Sequence, residues 1–347
     1  MVLAAVGAGW AAGGWLGGAW PWLTALRAGA EAGTILVRAL ASVRGGCPVL
    51  VETGTNEHPA RLKVGIVGPG RAGTALGRAL ARAGHEVVAA AAVSEQSKLR
   101  VSEHFPRARL TDPAGVLGAA DLVLLTVPDD VLPSLVEGLA ATDAPYAGRL
   151  IAHASGAHGI RVLDPATRSG ALPLALHPVM TFTGREDDVD RIKGVSFGVT
   201  APDPLRPAAE ALVIEMGGEP VFIPEENRAL YHAALAFAAN HLVTLVSQAA
   251  SLLRAAGAEN PNRMLGPLLG AALDNALRFG DAGLTGPVAR GDDGTVAAHV
   301  AAIGAHEPAA LPAYRALARL TADRALAAGM LSASDAERLL DVLGEHR

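Results

Sequence analysis

Short apolar runs alternate with helical segments from residue 62 onward. Leu62–Val67 is a short apolar run of the kind that forms a buried parallel strand. Residues Ala72 to Ala83 have the apolar spacing of a helix, and Gly84 follows where helices commonly end. We predict further strands at Val87–Val93, Asp121–Val127 and Leu150–His153, and from weaker patterns at Leu174–Leu176, Val195–Thr200 and Pro220–Ile223. This alternation indicates βαβ units and a parallel sheet.

The pattern becomes helical after Ile223. Pro224, Glu225 and Glu226 are typical of a helix start, because proline fits the first turn and acidic side chains favour the positive end of the helix dipole. We predict helices at about Asn227–Ala256, Met264–Phe279, 294–305, 308–328 and 333–344. The predicted fold is therefore α/β, with a Rossmann-type, mostly parallel sheet domain over residues 61–224 and an all-helical domain over residues 225–347.

Residues 1–60 differ from the rest of the chain. All four tryptophans lie between positions 10 and 22, and residues 1–26 carry no charge. A transmembrane helix is possible by length, but glycine pairs and Pro21 argue against it. A signal peptide would need a basic start, which is missing. We expect a low-complexity extension that is disordered or arises from a start codon placed too far upstream.

Composition limits the kinds of partner. Half of the residues are apolar, and the net charge is −5, which gives no electrostatic reason to expect nucleic acid. The single cysteine, Cys47, excludes an intramolecular disulfide and a cysteine-based zinc site, and a reduced, cytoplasmic setting is the default. We expect a small-molecule substrate, with no bound metal and no membrane partner.

A glycine-rich loop joins the first predicted strand to the first predicted helix. Its residues are Gly68, Pro69, Gly70, Arg71, Ala72 and Gly73. The first glycine allows a tight turn, the second lets a pyrophosphate approach the backbone, and the third lets helix and strand pack closely. We therefore predict that the loop binds a dinucleotide at the helix N-terminus. The alternative is a simple glycine-rich turn, in a chain with 40 glycines.

The end of the second strand favours NADP(H) as the cofactor. Enzymes that use NAD usually carry an acidic residue there, whereas this chain has Ala91 and Ala92. The residues that could hold a 2′-phosphate follow, namely Ser94, Ser97, Lys98 and Arg100. Glu95 argues the other way, and a solvated helix start is the alternative interpretation of this segment. Val127 and Pro128, at the end of another strand, should lie along the cofactor.

Two further strand ends carry candidate chemistry. In doubly wound sheets, ligands bind beyond the carboxyl ends of the strands. His153, Ser155 and Gly156 end one strand, and the serine hydroxyl and turn N–H groups could hold a carboxylate or carbonyl oxygen near a nicotinamide ring. His177 follows the next strand signal. A structural hydrogen-bonding role is the alternative for each histidine.

The helical half adds candidates for substrate contacts. His232, Asn240 and Thr244 fall within about one third of the circumference of the long helix, at roughly 100° per residue. Arg290 could clamp a carboxylate through two parallel hydrogen bonds. The alternative for Arg290 is a loop-fixing pair with a neighbouring aspartate.

Together these motifs resemble Rossmann-like proteins with a C-terminal domain of unknown function 2520. The pieces that carry the resemblance run in order from Lys63 to about Ala327: Gly68–Gly73, Val127-Pro128-Asp129, His153–Gly156, His177-Pro178 with Thr181-Phe182, Tyr231–Ala234, Ala239-Asn240-His241 and Leu284–Asp292. This family is similar to pyrroline-5-carboxylate reductase, ketopantoate reductase and the β-hydroxyacid dehydrogenases. The resemblance implies an NADP-dependent oxidoreductase. Its helical domain would be like that of 6-phosphogluconate dehydrogenase and would form a homodimer.

One residue departs from the related enzymes. β-Hydroxyacid dehydrogenases and ketopantoate reductases use a lysine four residues before an asparagine on the long helix. Here Ala236 stands four residues before Asn240, and the chain has no lysine after Lys193. We therefore expect a histidine to donate the proton, since histidine titrates near the working pH. His232 is the first choice, and His153 and His177 are the alternatives.

Three functional hypotheses follow. The first is an NADPH-dependent reductase of a small 2-oxo acid, with ketopantoate the leading substrate, a polarising group of Ser155, Asn240 and a histidine, and Arg290, Thr244 and Gly156 binding the substrate. The second is an imine reductase similar to pyrroline-5-carboxylate reductase. The third is a sensor or partner protein that binds NADP(H) without turnover.

Overall fold

The computed structural model describes residues 61–142 and 144–344. They form two compact units, the first ending at Ala234 and the second beginning at Leu235. The expectation for residues 1–60 lies outside the described residues.

An eight-stranded sheet forms the first unit, in the order β3-β2-β1-β4-β5-β6-β7-β8. The strands are β1 (Lys63–Val67), β2 (Glu86–Ala91), β3 (Arg109–Leu110), β4 (Leu122–Leu125), β5 (Leu150–His153), β6 (Leu172–Pro178), β7 (Ser196–Thr200) and β8 (Glu219–Phe222). The strands from β3 to β6 pair in parallel, β7 runs antiparallel to β6, and β8 is parallel to β7. The predicted Rossmann-type, mostly parallel sheet is therefore confirmed, including the three strands expected from weaker patterns.

Seven α-helices connect these strands. They are α1 (Arg71–Arg82), α2 (Glu95–His104), α3 (Pro113–Ala119), α4 (Leu132–Ala140), α5 (Asp164–Arg168), α6 (Asp188–Arg191) and α7 (Arg206–Glu215). The buried face of α1 carries Leu76 and Leu80, which join a core with Ile66 of β1. A second core lies around Val123 of β4 and Ile151 of β5. Each apolar strand thus contributes to a core, as its continuous apolar run predicts.

The order of the strands reverses at β1: β2 and β3 lie on one side of it, and β4 and the later strands lie on the other. This strand pairs with β2 on one side and with β4 on the other. The carboxyl ends of β1, β4, β5 and β6 consequently lie along one edge of the sheet. A crevice at such a switch point is where ligands bind in doubly wound folds.

The second unit is helical and has its own core. The long helix α8 (Arg228–Ala255) continues into it from the first unit, and α9 (Pro261–Phe279), α10 (Asp293–His306), α11 (Leu311–Ala327) and α12 (Ala333–Leu343) follow. Buried residues from α10, α11 and α12 pack together, among them Val296, Ala322 and Leu339. All five predicted helices are present, with ends within three residues of those predicted.

One segment of the described residues is long and apolar enough to cross a membrane. It is Glu225–Ala255, with a mean hydropathy of 1.4 over its most apolar window. Length and composition alone do not separate a membrane span from a helix that another protein surface covers. Its exposed side chains include Phe237 at 60% and Val243 at 68%.

Candidate functional site

The loop after β1 is shaped around its glycines. Gly68 has a φ of +80°, a left-handed conformation that glycine adopts without strain. Its N–H donates to the Ala91 carbonyl at 3.0 Å. A methyl group on Gly73 would lie 2.2 Å from Oγ1 of Thr126 and 2.9 Å from the Gly68 carbonyl oxygen. Loop and helix therefore pack too closely for a larger residue at position 73.

Gly70 leaves the outer side of this loop open. A methyl group on Gly70 would meet one atom of the described residues beyond its chain neighbours, the Gly68 carbonyl oxygen at 3.9 Å. The free N–H groups of the first turn of α1 follow directly, and Arg71, the first residue of that helix, is exposed. An open backbone surface at a helix N-terminus fits a phosphate group. These residues therefore fit the pyrophosphate of a dinucleotide.

Thr126 ties the loop to the neighbouring strand. Its hydroxyl donates to the Gly68 carbonyl at 2.8 Å. Val127 follows, and its Cγ1 would lie 2.8 Å from a methyl group on Gly68. Val127 is thus beside the loop, and Pro128 is the next residue along the chain. The sequence analysis did not single out Thr126, because a threonine after a strand is not distinctive by itself.

The segment after β2 carries hydroxyl and basic groups but no acid at its first positions. Ala91 is buried and Ala92 is half-buried. Ser94 caps α2, because its hydroxyl oxygen accepts the Ser97 N–H at 3.1 Å. Lys98 donates to Glu95 at 2.7 Å. The Ser94 cap and the Lys98–Glu95 ion pair are both exposed at the start of α2.

A cavity of about 420 Å³ lies beside the start of α1. Its lining includes four arginines, Arg71, Arg78, Arg100 and Arg185, and three acidic residues, Glu103, Glu186 and Asp188. Gly184 brings the loop after β6 close to α1, since a methyl group on it would lie 3.1 Å from Cγ of Arg71. The cavity thus borders the phosphate loop and α2 together. An arginine-rich cavity in this position suits a second phosphate group.

His153, the last residue of β5, has both ring nitrogens engaged inside the protein. Nδ1 accepts the Ser155 N–H at 3.2 Å. Nε2 must then carry the hydrogen, and it donates to the Gly159 carbonyl at 2.8 Å. The ring is 1% exposed. Burial, with a contribution from the nearby Arg228, lowers the pKa of His153 to about 4. This histidine is therefore neutral and holds the shape of the loop that follows β5.

Other residues hold the same loop. The Ser155 hydroxyl oxygen accepts the His158 N–H at 3.1 Å. The Glu225 carboxylate accepts the N–H groups of Ile160 at 2.7 Å and Arg161 at 3.2 Å. The loop is consequently fixed at its start by a histidine and at its end by a carboxylate from the 3-10 turn that precedes the long helix.

His177, near the end of β6, forms a pair with Tyr231 of α8. Nδ1 lies 2.8 Å from the tyrosine hydroxyl, and the two rings meet edge to face. Among the described residues, Nδ1 is the acceptor within hydrogen-bonding distance of the phenol hydrogen. We assign the phenol of Tyr231 as the donor to Nδ1, which places the hydrogen of neutral His177 on Nε2. Burial and the positive charge of Arg228 lower the pKa of His177 to about 4, so the ring is neutral at physiological pH.

Gly156 is the meeting point of two histidines. A methyl group on it would lie 2.8 Å from Nε2 of His177 and 2.8 Å from Cδ2 of His232. The two imidazole centroids are 6.2 Å apart and nearly perpendicular. The Nε2–H of His177 thus faces the turn after β5, beside His232. The structure brings together four predicted residues here: Ser155, Gly156, His177 and His232.

Arg228 lies behind this cluster and is 2% exposed. Nε donates to the Thr200 hydroxyl at 2.7 Å, and Nη2 donates to the Gly198 carbonyl at 3.0 Å. Its guanidinium carbon is 5.5 Å from the centroid of the Tyr231 ring. Nη1 is buried without a hydrogen-bond partner among the described residues. No carboxylate of the described residues forms an ion pair with this buried cation, although the charge of Glu225 acts on it from a distance.

The pKa of Tyr231 reflects opposing influences. Burial raises it, while Arg228 and the Gly198 N–H work in the opposite direction because both favour the phenolate. A methyl group on Gly198 would lie 2.3 Å from the Tyr231 hydroxyl oxygen, so only glycine leaves room for this phenol over the strand. On balance burial raises the pKa of Tyr231, so it keeps its proton at neutral pH, while Arg228 and the Gly198 N–H offset part of the cost of a phenolate.

Three predicted site residues belong to the second unit. Asn240 and Thr244 are exposed on α8, and Arg290 is exposed in the turn before α10. The neighbouring Asp292 caps that helix by accepting the Thr295 N–H at 3.0 Å. The two hydrogen bonds from Thr295 lower the pKa of Asp292 the most, and the positive charge of Arg290 makes a smaller contribution.

The roles of Tyr231, Arg228 and Thr126 could not be predicted from the sequence. Tyr231 lies beside His232 in a family motif, and Arg228 lies at the predicted helix start. Their positions in the sequence were the only indication that they belong to a site. Regarding metals, residues 61–142 and 144–344 contain no group of three histidine, cysteine or acidic side chains placed to hold an ion.

Comparison with family models agrees with the resemblance. Residues 50–178 match the Rossmann-like domain, and residues 195–321 match the domain of unknown function DUF2520. The chain therefore carries a Rossmann-like domain followed by a DUF2520 domain. No curated protein is similar enough in sequence to count as a relative.

Solved structures share the fold at low sequence identity. A putative NADP oxidoreductase from Bacteroides fragilis is 22% identical, with a TM-score of 0.62 over 76% of this chain and 98% of that one. A protein from Thermotoga maritima is 20% identical, with a TM-score of 0.59 over 77% and 99%. An imine reductase from Pseudomonas sp. is 18% identical, with a TM-score of 0.57 over 82% and 100%. At these identities the likeness describes the fold.

Proposed function

We propose that this protein is an NADP(H)-dependent oxidoreductase that reduces a C=O or C=N bond of a small molecule. The observation that carries the proposal is the arrangement along one edge of the sheet. The phosphate loop follows β1, and the neutral His177, with its Nε2–H facing Gly156, lies near the end of β6. A dinucleotide bound at the switch point would extend along this edge.

The residues beside the phosphate loop support NADP(H) over NAD(H). Ala91 and Ala92 offer no carboxylate to a ribose 2′-hydroxyl, and the cavity lined by Arg71 and Arg100 suits a 2′-phosphate. Ser94 and Ser97 lie at the start of α2 as further donors. When bound, NADPH would supply the hydride. The names of two structural neighbours, an NADP oxidoreductase and an imine reductase, are compatible with this assignment.

The cluster after β5 and β6 supplies the groups that a carbonyl needs. A neutral imidazole can polarise a carbonyl by donating its N–H. His177 fits this role because Tyr231 fills its other nitrogen and leaves Nε2–H facing Gly156. His232, the first choice from sequence, lies beside it and would orient the substrate or share the donation. His153 would act through the loop it holds, since both of its nitrogens are engaged.

Within this reaction class, we propose two classes of substrate. A 2-oxo acid remains our leading substrate class, with ketopantoate first, because a carbonyl that becomes an alkoxide needs the donor that His177 offers. Asn240, Thr244 and Arg290 of the second unit remain proposals for substrate contacts. A cyclic imine is the second candidate, supported by the name of the Pseudomonas neighbour. The cytoplasmic setting also remains a proposal, drawn from the single cysteine.

We further propose that the second unit forms a homodimer. Its helices expose large apolar side chains, including Phe237 at 60%, Leu268 at 64%, Leu277 at 79% and Phe279 at 61%. Exposed apolar surface of this kind supports an interface, which a second copy of this chain would cover.

Cofactor binding and turnover test the function separately. Calorimetry should show tighter binding of NADPH than of NADH. Oxidation of NADPH should then be followed against a panel of 2-oxo acids and cyclic imines that includes ketopantoate and pyrroline-5-carboxylate. Turnover with a panel member is expected. Tight NADPH binding with no turnover would instead favour a sensor or partner protein, and absence of dinucleotide binding would overturn the proposal altogether.

A further inference from the structure

We propose that Tyr231 supplies, through the imidazole of His177, the proton that the reduced substrate takes up. This inference rests on the proposed oxidoreductase function and adds the proton path to it. A reductase of this fold needs a proton donor, and the chain offers no lysine after Lys193. The contact that answers this need is the 2.8 Å hydrogen bond between the Tyr231 hydroxyl and Nδ1 of His177.

His177 cannot donate as an isolated group. Its ring is neutral, and a neutral imidazole that lost its Nε2 proton alone would become an imidazolate, which forms only at very high pH. The ring can pass on a proton if Nδ1 gains one at the same time. With the phenol hydrogen of Tyr231 assigned to the 2.8 Å bond with Nδ1, the second proton is in place before the reaction begins.

The transfer balances in protons and electrons. A bound NADPH would supply the hydride to the substrate carbon, and the π electrons of the C=O bond would move onto oxygen. The Nε2–H bond of His177 breaks as the new O–H bond forms, the ring electrons shift, and Nδ1 takes the proton of Tyr231. The phenolate that remains recovers its proton in reverse, as a solvent proton enters at Nε2 after the product leaves. A neutral imine would be protonated by the same path.

Arg228 and the Gly198 N–H offset part of the burial cost of the phenolate in that step. The buried guanidinium lies 5.5 Å from the ring centroid, and its Nη1 lacks a partner among the described residues. The hydroxyl oxygen sits directly over Gly198, where a methyl group would come within 2.3 Å of it. A positive charge placed in advance costs no reorganisation when the negative charge develops.

Other charged or titratable groups also surround His177. Arg228 and His232 lower its pKa, and Asp129 raises it slightly. His153 on the adjacent strand is engaged in the loop after β5. None of these groups contacts Nδ1 among the described residues, so Tyr231 is the group through which that nitrogen can be supplied.

The second unit contains a matched control. Nδ1 of His299 lies 2.9 Å from the Tyr314 hydroxyl, again with the rings edge to face. This pair has the same chemistry, its His299 is exposed, and both residues belong to the second unit. Tyr314→Phe therefore removes an equivalent hydroxyl without touching the proposed path.

The kinetic test compares Tyr231→Phe with Tyr314→Phe. Loss of the Tyr231 hydroxyl should lower kcat by about 10²-fold or more, with the Kd for NADPH unchanged, because general acid catalysis contributes about 10² to 10⁴. The Tyr314 variant should keep wild-type kcat. In wild type two protons move in the same step, so a plot of kcat against the deuterium fraction of the solvent should be curved. In Tyr231→Phe only one proton moves, so the same plot should be linear. A Tyr231→Phe enzyme with wild-type kcat would overturn the proposal.

A measurement without turnover separates this proposal from the proposed function. Nitrogen NMR of labelled histidine should show His177 at neutral pH as the Nε2–H tautomer, with Nδ1 accepting a hydrogen bond that Tyr231→Phe removes. An imidazolium, or the Nδ1–H tautomer, would overturn the proton path whether or not a substrate has been found. If His177 has the expected tautomer but the protein does not bind NADPH, the proposed function is wrong and the hydrogen bond between Tyr231 and His177 still stands.

Discussion

Nε2 of His177 and the α-carbon of Gly156 approach so closely that a methyl group on the glycine would lie 2.8 Å from the nitrogen. These two residues come from different strand ends, β6 and the turn after β5. The sheet brings them together because His153 of β5 pairs with Ala175 of β6, which leaves His177 level with the turn. The position of His177, the candidate proton donor, thus depends on the register of β5 and β6 and on the absence of a side chain at Gly156.

A methyl group at position 156 should disable the site. In Gly156→Ala, His177 and His232 would have to move, so we expect kcat to fall at least about tenfold, since small displacements of positioned groups can cost up to about 10². Gly138→Ala is the matched control, because a methyl group there meets nothing within 4 Å. Steady-state kinetics and thermal unfolding of both variants check this. Equal activity of the two would contradict the placement of the site at Gly156.

Arginines beside the phosphate loop should set the cofactor preference. Arg71→Ala and Arg100→Ala should each weaken NADPH binding by about tenfold, which corresponds to about 1.4 kcal/mol, and leave NADH binding nearly unchanged. Arg168→Ala, at an exposed arginine that ends α5, is the control and should change neither. Calorimetric titration with both dinucleotides gives the result. A parallel loss of NADPH and NADH binding would show that these arginines do not read a 2′-phosphate.

Acid should destabilise the first unit through its buried histidines. The folded-state pKa of His153 is about 4, against an ordinary value of 6.5, so below about pH 6.5 the unfolded chain binds a proton that the folded protein does not. Stability is therefore complete above that pH and falls as the pH drops toward about 4, by up to about 1.4 kcal/mol per pH unit for this group. Urea unfolding of wild type and His153→Gln over this range measures it. The stability difference between the two should shrink in acid; a constant difference would be inconsistent with a neutral, buried His153.

Charge on the apolar faces of α8 and α9 should dissociate the proposed homodimer. We expect wild type to be a dimer at micromolar concentration and Phe237→Glu combined with Leu277→Glu to be a monomer, because buried charges without partners are costly. Ile214→Glu, on an apolar residue of the first unit that is 49% exposed, should remain a dimer. Light scattering coupled to size exclusion distinguishes these states. A monomeric wild type would refute the dimer.

Much of the fold could be predicted because its signals are local. The buried strand β1, the loop from Gly68 to Gly73 and the helices of the second unit follow from apolar periodicity, glycine and proline. The two-residue strand β3 was not predicted, since its residues are exposed and too few to show a period. Both the family resemblance and the sheet class were confirmed.

The candidate site was predicted only in part because its contacts are not local. His177 and Tyr231 are 54 residues apart in sequence, and nothing in either segment indicates that they meet. The polar stripe on α8 pointed to His232, whereas its neighbour Tyr231 makes the closer contact with a histidine. Glu225 was interpreted as favouring the helix dipole, and its carboxylate also holds the loop after β5. Such roles follow from tertiary structure and cannot be inferred from spacing along one helix.

Hydride transfer from NADPH in the presence and absence of His177 tests the account most directly. His177→Asn keeps an amide near the position of Nδ1, where it can still accept from Tyr231, but removes Nε2–H. His299→Asn is its matched control in the second unit. With a substrate from the panel, wild type and His299→Asn should oxidise NADPH at similar rates, and His177→Asn should be slower by about 10² or more with unchanged NADPH binding. Full activity in His177→Asn, or no NADPH oxidation by wild type with any 2-oxo acid or imine, would contradict the account.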